Sequence, residues 1–219
     1  MKQFIKAVGG MRHSVIYTDV TGKHFRFSGG TWTWRNHNPG NVYAGAISKR
    51  HNQIGATHFF AIFPNKKDGH ASLLDSLITS FGNMSLHDMI YIFAPPKCNP
   101  TKQYEKYLRE KTGVYSNTKI KNFTKTQFKK LWEAIQHFEG FQTGKIVEVY
   151  RIIRVQKIKK NVYQFCREDG YWMTESQCIR YAKQEHLELE VCVSDLGTEF
   201  LRSCSNSLFQ KPLKSIMKK

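Results

Sequence analysis

Cysteine is scarce in this chain of 219 residues. Its five copies, Cys98, Cys166, Cys178, Cys192 and Cys204, are odd in number and widely spaced. No CxxC pair occurs, which argues against a disulfide-stapled scaffold and a zinc site and fits free thiols in a reducing cytosol. The histidines include no HxxxH or HExxH spacing, so His37, His51, His58, His70 and His87 read as surface or structural residues. Neither a metal nor a cofactor is expected. No apolar run reaches the length of a membrane span, and Met1 to Met11 is too short and interrupted for a Sec signal. Acidic residues are outnumbered: 17 against 34 Lys plus Arg, a net charge of +17 and a pI near 9.7. Such a chain is drawn to polyanions, nucleic acid or the anionic bacterial envelope alike. RRM, KH and zinc-finger patterns are all missing, which weighs against nucleic acid.

With 40% hydrophobic residues the chain is globular, and its length suits one large domain or two modest ones. Its most unusual stretch is Ser28-Gly29-Gly30-Thr31-Trp32-Thr33-Trp34-Arg35-Asn36-His37-Asn38-Pro39-Gly40-Asn41. So dense a run of Gly, Asn, Pro and Trp reads as a shaped loop. In an extended segment Trp32 and Trp34 share a face, a platform for a sugar or a base; the alternative makes both indoles core. Asn36, Asn38 and Asn41 either bond nearby backbone or offer amides to a ligand.

This run resembles the SGGxxxWRNNNPGN signature of a bacterial and phage family of lysozyme-like, or lytic-transglycosylase-like, cell-wall hydrolases. The likeness continues through Phe60-Ala61-Ile62-Phe63-Pro64, Gly69, Tyr91-Ile92-Phe93-Ala94-Pro95-Pro96, Asn99, Thr101, Tyr104, Ala134-Ile135 and Phe138-Glu139-Gly140. It covers roughly residues 10 to 145 in order. Two positions depart from the pattern: His37 replaces the middle Asn, and Cys98 stands where an acidic residue is usual. The resemblance implies a lysozyme-like α+β fold, mainly helical with a small β lobe, acting on peptidoglycan.

Periodicity supports that division. A loose hairpin is expected over 12–27 and a strand over 56–63. Ala71, Leu74, Leu77, Ile78 and Phe81 recur at helical spacing between Gly69 and Gly82. Further helices start at Ser85 with Asp88, at Pro100 running to Gly113, and at Thr124 with Gln127 running to Gly140. Composition shifts at Gly144, and strands 147–155, 161–166, 187–194 and 198–203 around a helix from Thr174 give a small ββαββ unit. Val162-Tyr163, Asp169-Gly170, Thr174-Glu175 and Phe200-Leu201-Arg202-Ser203 resemble a small bacterial family of unknown function. The expected domains are 1–145, peptidoglycan-cleaving, and 146–219, accessory, with a mobile basic tail from Lys211 to Lys219.

Cleaving a β-1,4 glycosidic bond needs a carboxylic acid still protonated near neutral pH. Glu139 lies one turn beyond Ile135 on the apolar stripe Phe128, Trp132 and Ile135, where burial resists ionisation. Phe138-Glu139-Gly140-Phe141 also resembles the helix-ending Glu-Gly of phage endolysins, in which that Glu is the general acid; there it opens the domain and here it closes it. The other reading of Glu139 is a local cap or salt bridge. Glu133 points elsewhere, and Trp132 reads as core.

Asp19, in a Tyr17-x-Asp19-x-x-Gly22 pattern similar to endolysins, is the second candidate carboxylate; a plain turn residue is its alternative. An idle Asp19 favours a one-carboxylate transglycosylase. Arg35 either pairs with a substrate carboxylate or staples its own loop, and Trp32, Trp34, Asn36, Asn38 and Asn41 complete the substrate-binding candidates. Cys98 has no adjacent histidine to activate it. The expected function is thus a muramidase or lytic transglycosylase. It is made in the bacterial cytoplasm and carried to the wall by phage lysis or specialised secretion machinery, as a lysin or as an antibacterial effector toxin with an immunity protein. The rivals are a non-catalytic glycan-binding module and a basic nucleic-acid-binding protein.

Overall fold

The computed structural model describes residues 3–160 and 162–218. In chain order the elements are β1 (Phe4–Gly9), β2 (Val15–Asp19), β3 (His24–Ser28), α1 (Trp32–Arg35), α2 (Ala46–Arg50), β4 (Gly55–Thr57), β5 (Phe60–Ile62), α3 (Lys66–Thr79), α4 (Leu86–Phe93), α5 (Thr101–Thr112) and α6 (Lys125–Glu139). After them come β6 (Lys145–Val149), β7 (Ile152–Lys159), β8 (Val162–Arg167), β9 (Trp172–Thr174), α7 (Glu175–Lys183), β10 (Leu189–Val193), β11 (Glu199–Ser203) and β12 (Met217–Lys218). The protein is of mixed α+β class. No helix among the described residues is long and apolar enough to cross a membrane.

Two compact units result, and they do not divide the chain at 145 and 146. One is Gly30–Thr143; the other joins the segment ending at Gly29 to the segment beginning at Gly144. The cause is strand pairing. β3 is antiparallel to β6, from His24 opposite Val149 to Ser28 opposite Lys145, completing a sheet ordered β1-β2-β3-β6. A strand returning from so far along the chain leaves no local trace in sequence.

Within Gly30–Thr143, α3 to α6 close around Leu73, Leu77, Leu86, Met89, Ile90, Tyr104, Leu108, Leu131, Ala134 and Ile135. Three of the four starts have a side-chain cap: Asn65, Ser85 and Thr124 each accept a hydrogen bond from a first-turn N–H, and Thr124 with Gln127 forms a capping box, while α5 starts after Pro100 without one. Gly113, at φ 70°, ends α5 in the left-handed conformation that glycine adopts most readily. α3 departs from its expected position. It begins at Lys66, slightly before the expected start at Asp68 or Gly69, and its buried side is Gly69, Ser72, Leu73, Ser76 and Leu77, leaving Ile78 exposed. The reason lies at Gly69, where a Cβ would stand 2.0 Å from the His37 carbonyl oxygen, so the loop backbone rests directly on the helix. The strand expected over 56–63 is the hairpin β4–β5, turning at His58 with φ 54°. Residues 42–44 run beside β5, with the Ala44 N–H donating to Phe59 O and the Ala61 N–H to Val42 O.

In the other unit the expected strand 147–155 is two strands, β6 and β7. The sheet β12-β7-β8-β9 packs with α7 around Ile152, Val155, Phe165, Met173, Cys178, Leu187 and Leu189. β9 is an additional short strand, and residue 161 of the expected strand 161–166 lies outside the described residues. The tail is anchored over its described part. Gln210 bonds both the N–H and the carbonyl of Ile152, at 2.7 and 2.8 Å, and β12 runs parallel to β7. Lys219 lies outside the described residues.

Candidate active site

The loop that follows Gly30 is built around the end of α6. Thr31 caps the single turn α1, accepting from the Trp34 N–H, and its own N–H donates to Gln142 O at 3.0 Å. Thr33 Oγ1 donates to Gly140 O at 2.6 Å. Ten residues past Thr31 the loop returns to the same place. Asn41, held at φ 46°, donates from Nδ2 to Glu139 Oε2 at 2.8 Å. Asparagine tolerates this left-handed angle better than most residues do.

The second oxygen of Glu139 is held from α5. Tyr104 OH donates to Oε1 at 3.1 Å, and its ring stacks on Phe138 with centroids 3.7 Å apart and planes 12° apart. Burial pushes the Glu139 carboxyl above its ordinary value, against the two hydrogen bonds from Asn41 and Tyr104, which favour the anion. Tyr104 is itself pushed well above the ordinary phenol value by burial and then by Glu139, so it remains the donor. The result is an acid whose two oxygens are fixed by neutral donors, each oxygen keeping a further lone-pair position. Such a group keeps its proton to higher pH than an ordinary glutamate and can give it up to a substrate oxygen.

Asn41 also lines a cavity of about 390 Å³ walled by Val42, Tyr43, Ile47, Phe81, Ile92 and Phe93, with Ser76 and Ser80 among its polar members. Tyr43 is 57% exposed, and its ring stacks on Phe60 at 5.4 Å. Neither Tyr104 nor Tyr43 was singled out as a site residue in the sequence. Tyr104 reaches Glu139 only through the packing of α5 on α6, and Tyr43 looks like any exposed tyrosine.

The other candidates take structural positions. Trp32 and Trp34 lie on one helical turn and not on an extended strand, so they diverge. Trp34 is buried, and Trp32 packs on His58 at 4.9 Å and under the Arg35 guanidinium at 4.5 Å. Arg35 is buried and donates from Nη1 to Gly30 O at 2.7 Å, the loop-staple arrangement. Asn38, wholly buried, bonds Val42 O, Ala61 O and the Val42 N–H, fixing the loop to β5. Asn36 is also wholly buried, its backbone carbonyl accepting from the Phe63 N–H. Of the three asparagines only Asn41 reaches the acid.

Asp19 belongs to the other unit and closes the β2–β3 turn. Its Oδ1 accepts from the Thr21 N–H, Thr21 Oγ1 and the Lys23 N–H at 2.9, 2.7 and 3.0 Å. Of its two readings, second carboxylate or plain turn residue, these bonds match the turn. The histidines sit in separate contacts: His37 on Phe63 O, His51 on Asp75, His70 on Gln136 and Trp132, and His87 on Glu105. Among the described residues no group of three or more His, Cys, Asp or Glu could hold a metal ion. Comparison of the chain with protein-family models, with curated proteins and with solved structures found no match.

Proposed function

We propose that Gly30–Thr143 is a lysozyme-like unit that cleaves the glycan strand of peptidoglycan, with Glu139 as general acid. One observation carries this reading: a carboxyl at a helix end, raised by burial, held at both oxygens by Asn41 and Tyr104 and bordered through Asn41 by a cavity. Glu139 gives its proton to the glycosidic oxygen as the C1–O bond breaks and the ring takes on oxocarbenium character. The carboxylate then removes a proton from the oxygen that attacks C1, either water or the muramyl C6 hydroxyl, and is again protonated.

Internal attack, giving a 1,6-anhydromuramyl end, is favoured. It needs no second carboxylate to orient water, and the other acids of this unit are engaged: Asp68 with Asn65, Asp75 with Arg50 and His51, Asp88 with Ser85, Glu105 with His87, Glu110 with Lys106 and Glu133 with Lys129. Reaching this substrate requires delivery to the wall by phage lysis or a secretion machine, and an effector role requires an immunity protein.

Mass spectrometry of digested, purified peptidoglycan tests the reading. Anhydromuramyl products from the native chain, with release reduced by about 100-fold or more in Glu139→Gln, are expected. Unchanged release in that variant removes Glu139 from the chemistry. The net charge of +17 keeps a polyanion-binding reading in view. Steeply salt-dependent DNA affinity without glycan binding would establish it instead.

A further inference from the structure

We propose that the turn joining β7 to β8 is a docking tip that seats its unit on the surface of an anionic phospholipid bilayer. This goes beyond the glycan-cleaving reading of Gly30–Thr143 and stands or falls without it. The sequence supplies the first observation. From Arg151 to Arg167 the chain carries six Lys or Arg and no Asp or Glu. Lys157, Lys159 and Lys160 crowd the turn, with Ile158 and Val162 set among them.

The fold supplies the second. Lys157 lies opposite Tyr163 and Lys159 opposite Val162, with a register shift between Lys157 and Lys159. Such a bulge breaks the alternation of faces, so Ile158 has no ladder partner and turns outward, 49% exposed, with Val162 38% exposed. All three lysines are exposed, and among the described residues none of them forms an ion pair. Cations left unneutralised within a few residues of one another sum to a local positive potential.

Charge and shape together select the partner. Lipid phosphates neutralise the lysines while the two aliphatic side chains enter the boundary between headgroups and acyl chains, the two contributions that hold a peripheral protein on a membrane. Single-stranded nucleic acid matches only the charge. Its bases stack on exposed rings, whereas the exposed apolar side chains of this turn are aliphatic and Tyr163 packs against the core around Phe165 and Met173.

The test is flotation of the full-length chain, at physiological salt, with vesicles of equimolar phosphatidylglycerol and phosphatidylcholine and with vesicles of phosphatidylcholine alone. The native chain should prefer the anionic vesicles by about 100-fold or more. A chain of +17 is drawn to any anionic surface, so matched variants locate the site. Joint replacement Lys157→Gln, Lys159→Gln and Lys160→Gln should weaken binding by about 100-fold, and the same loss of charge at exposed Lys97, Lys125 and Lys130 of the other unit by about threefold or less. Ile158→Gln with Val162→Gln leaves the charge alone and should weaken binding by about tenfold. In Ile158→Trp, lipids brominated on the acyl chain should quench the added fluorescence. Thermal melts identify any variant that fails to fold; the folded remainder decides.

Equal loss in the two lysine variants, undiminished binding without Ile158 and Val162, or no quenching in Ile158→Trp would each overturn the proposal. Single-stranded DNA that displaces the vesicles, bound through the three lysines with no contribution from Ile158 and Val162, would assign the turn to nucleic acid instead. Vesicle docking by a chain that releases no fragments from peptidoglycan would sink the cleavage reading and leave the docking tip standing.

Discussion

Two glutamates, Glu188 buried in one unit and Glu139 half-buried in the other, show how the same side chain is put to different uses. Glu188 is 1% exposed and faces the Arg26 guanidinium, itself 2% exposed, in a close ion pair, while also accepting from the Met11 N–H. Burial pushes its carboxyl up, and the guanidinium charge pulls it back. Among the described residues no cation pairs with Glu139: its partners are an amide and a phenol. A carboxylate beside a buried guanidinium strands that cation if it takes up a proton, whereas one held by neutral donors can exchange its proton without leaving a stranded charge.

The contrast is sharpest under substitution. Glu188→Gln leaves Arg26 buried without its counter-ion and should destabilise its unit by about 3–5 kcal/mol in urea unfolding. A loss under about 1 kcal/mol would mean the pair is dispensable. Glu139→Gln is expected to go the other way. A carboxyl raised in the folded state supports folding fully below its unfolded value, and that support is lost as pH rises through the folded value. The substitution should therefore raise the melting temperature at pH 7 and leave it nearly unchanged at pH 4; a lower melting temperature at pH 7 contradicts the assignment.

Smaller effects follow from the donors. Tyr104→Phe removes a bond that favours the anion, so the alkaline limb of the activity profile should move to higher pH while the maximal rate falls by about tenfold or less. A limb that stays put would make Tyr104 a packing residue only. Asp19→Asn keeps the oxygen that accepts the three turn bonds. Glycan release should stay within about twofold of the native chain, and a loss of about 100-fold would restore Asp19 as a catalytic carboxylate.

What could be read in advance was local. Thr124 with Gln127, Ser85 with Asp88, and Gly113 mark helix ends through bonds that reach three or four residues, and Glu139 follows from the phase of its own helix. What escaped depends on distant partners. The phase of α3 is set by a loop pressed on Gly69, the burial of Asn38 by β5, and the division of the chain by β3 meeting β6. The two tryptophans were misplaced because a Thr31 cap winds a four-residue turn that composition alone does not announce.

That meeting of β3 with β6 has a consequence for biosynthesis. Ser28 and Lys145 are partners in one ladder, but everything from Gly30 to Thr143 leaves the ribosome between them. At about 5–20 residues per second the first three strands wait on the order of ten seconds for their fourth, while the intervening unit already has all of its own sequence. The nascent chain is therefore expected to finish its middle before its beginning.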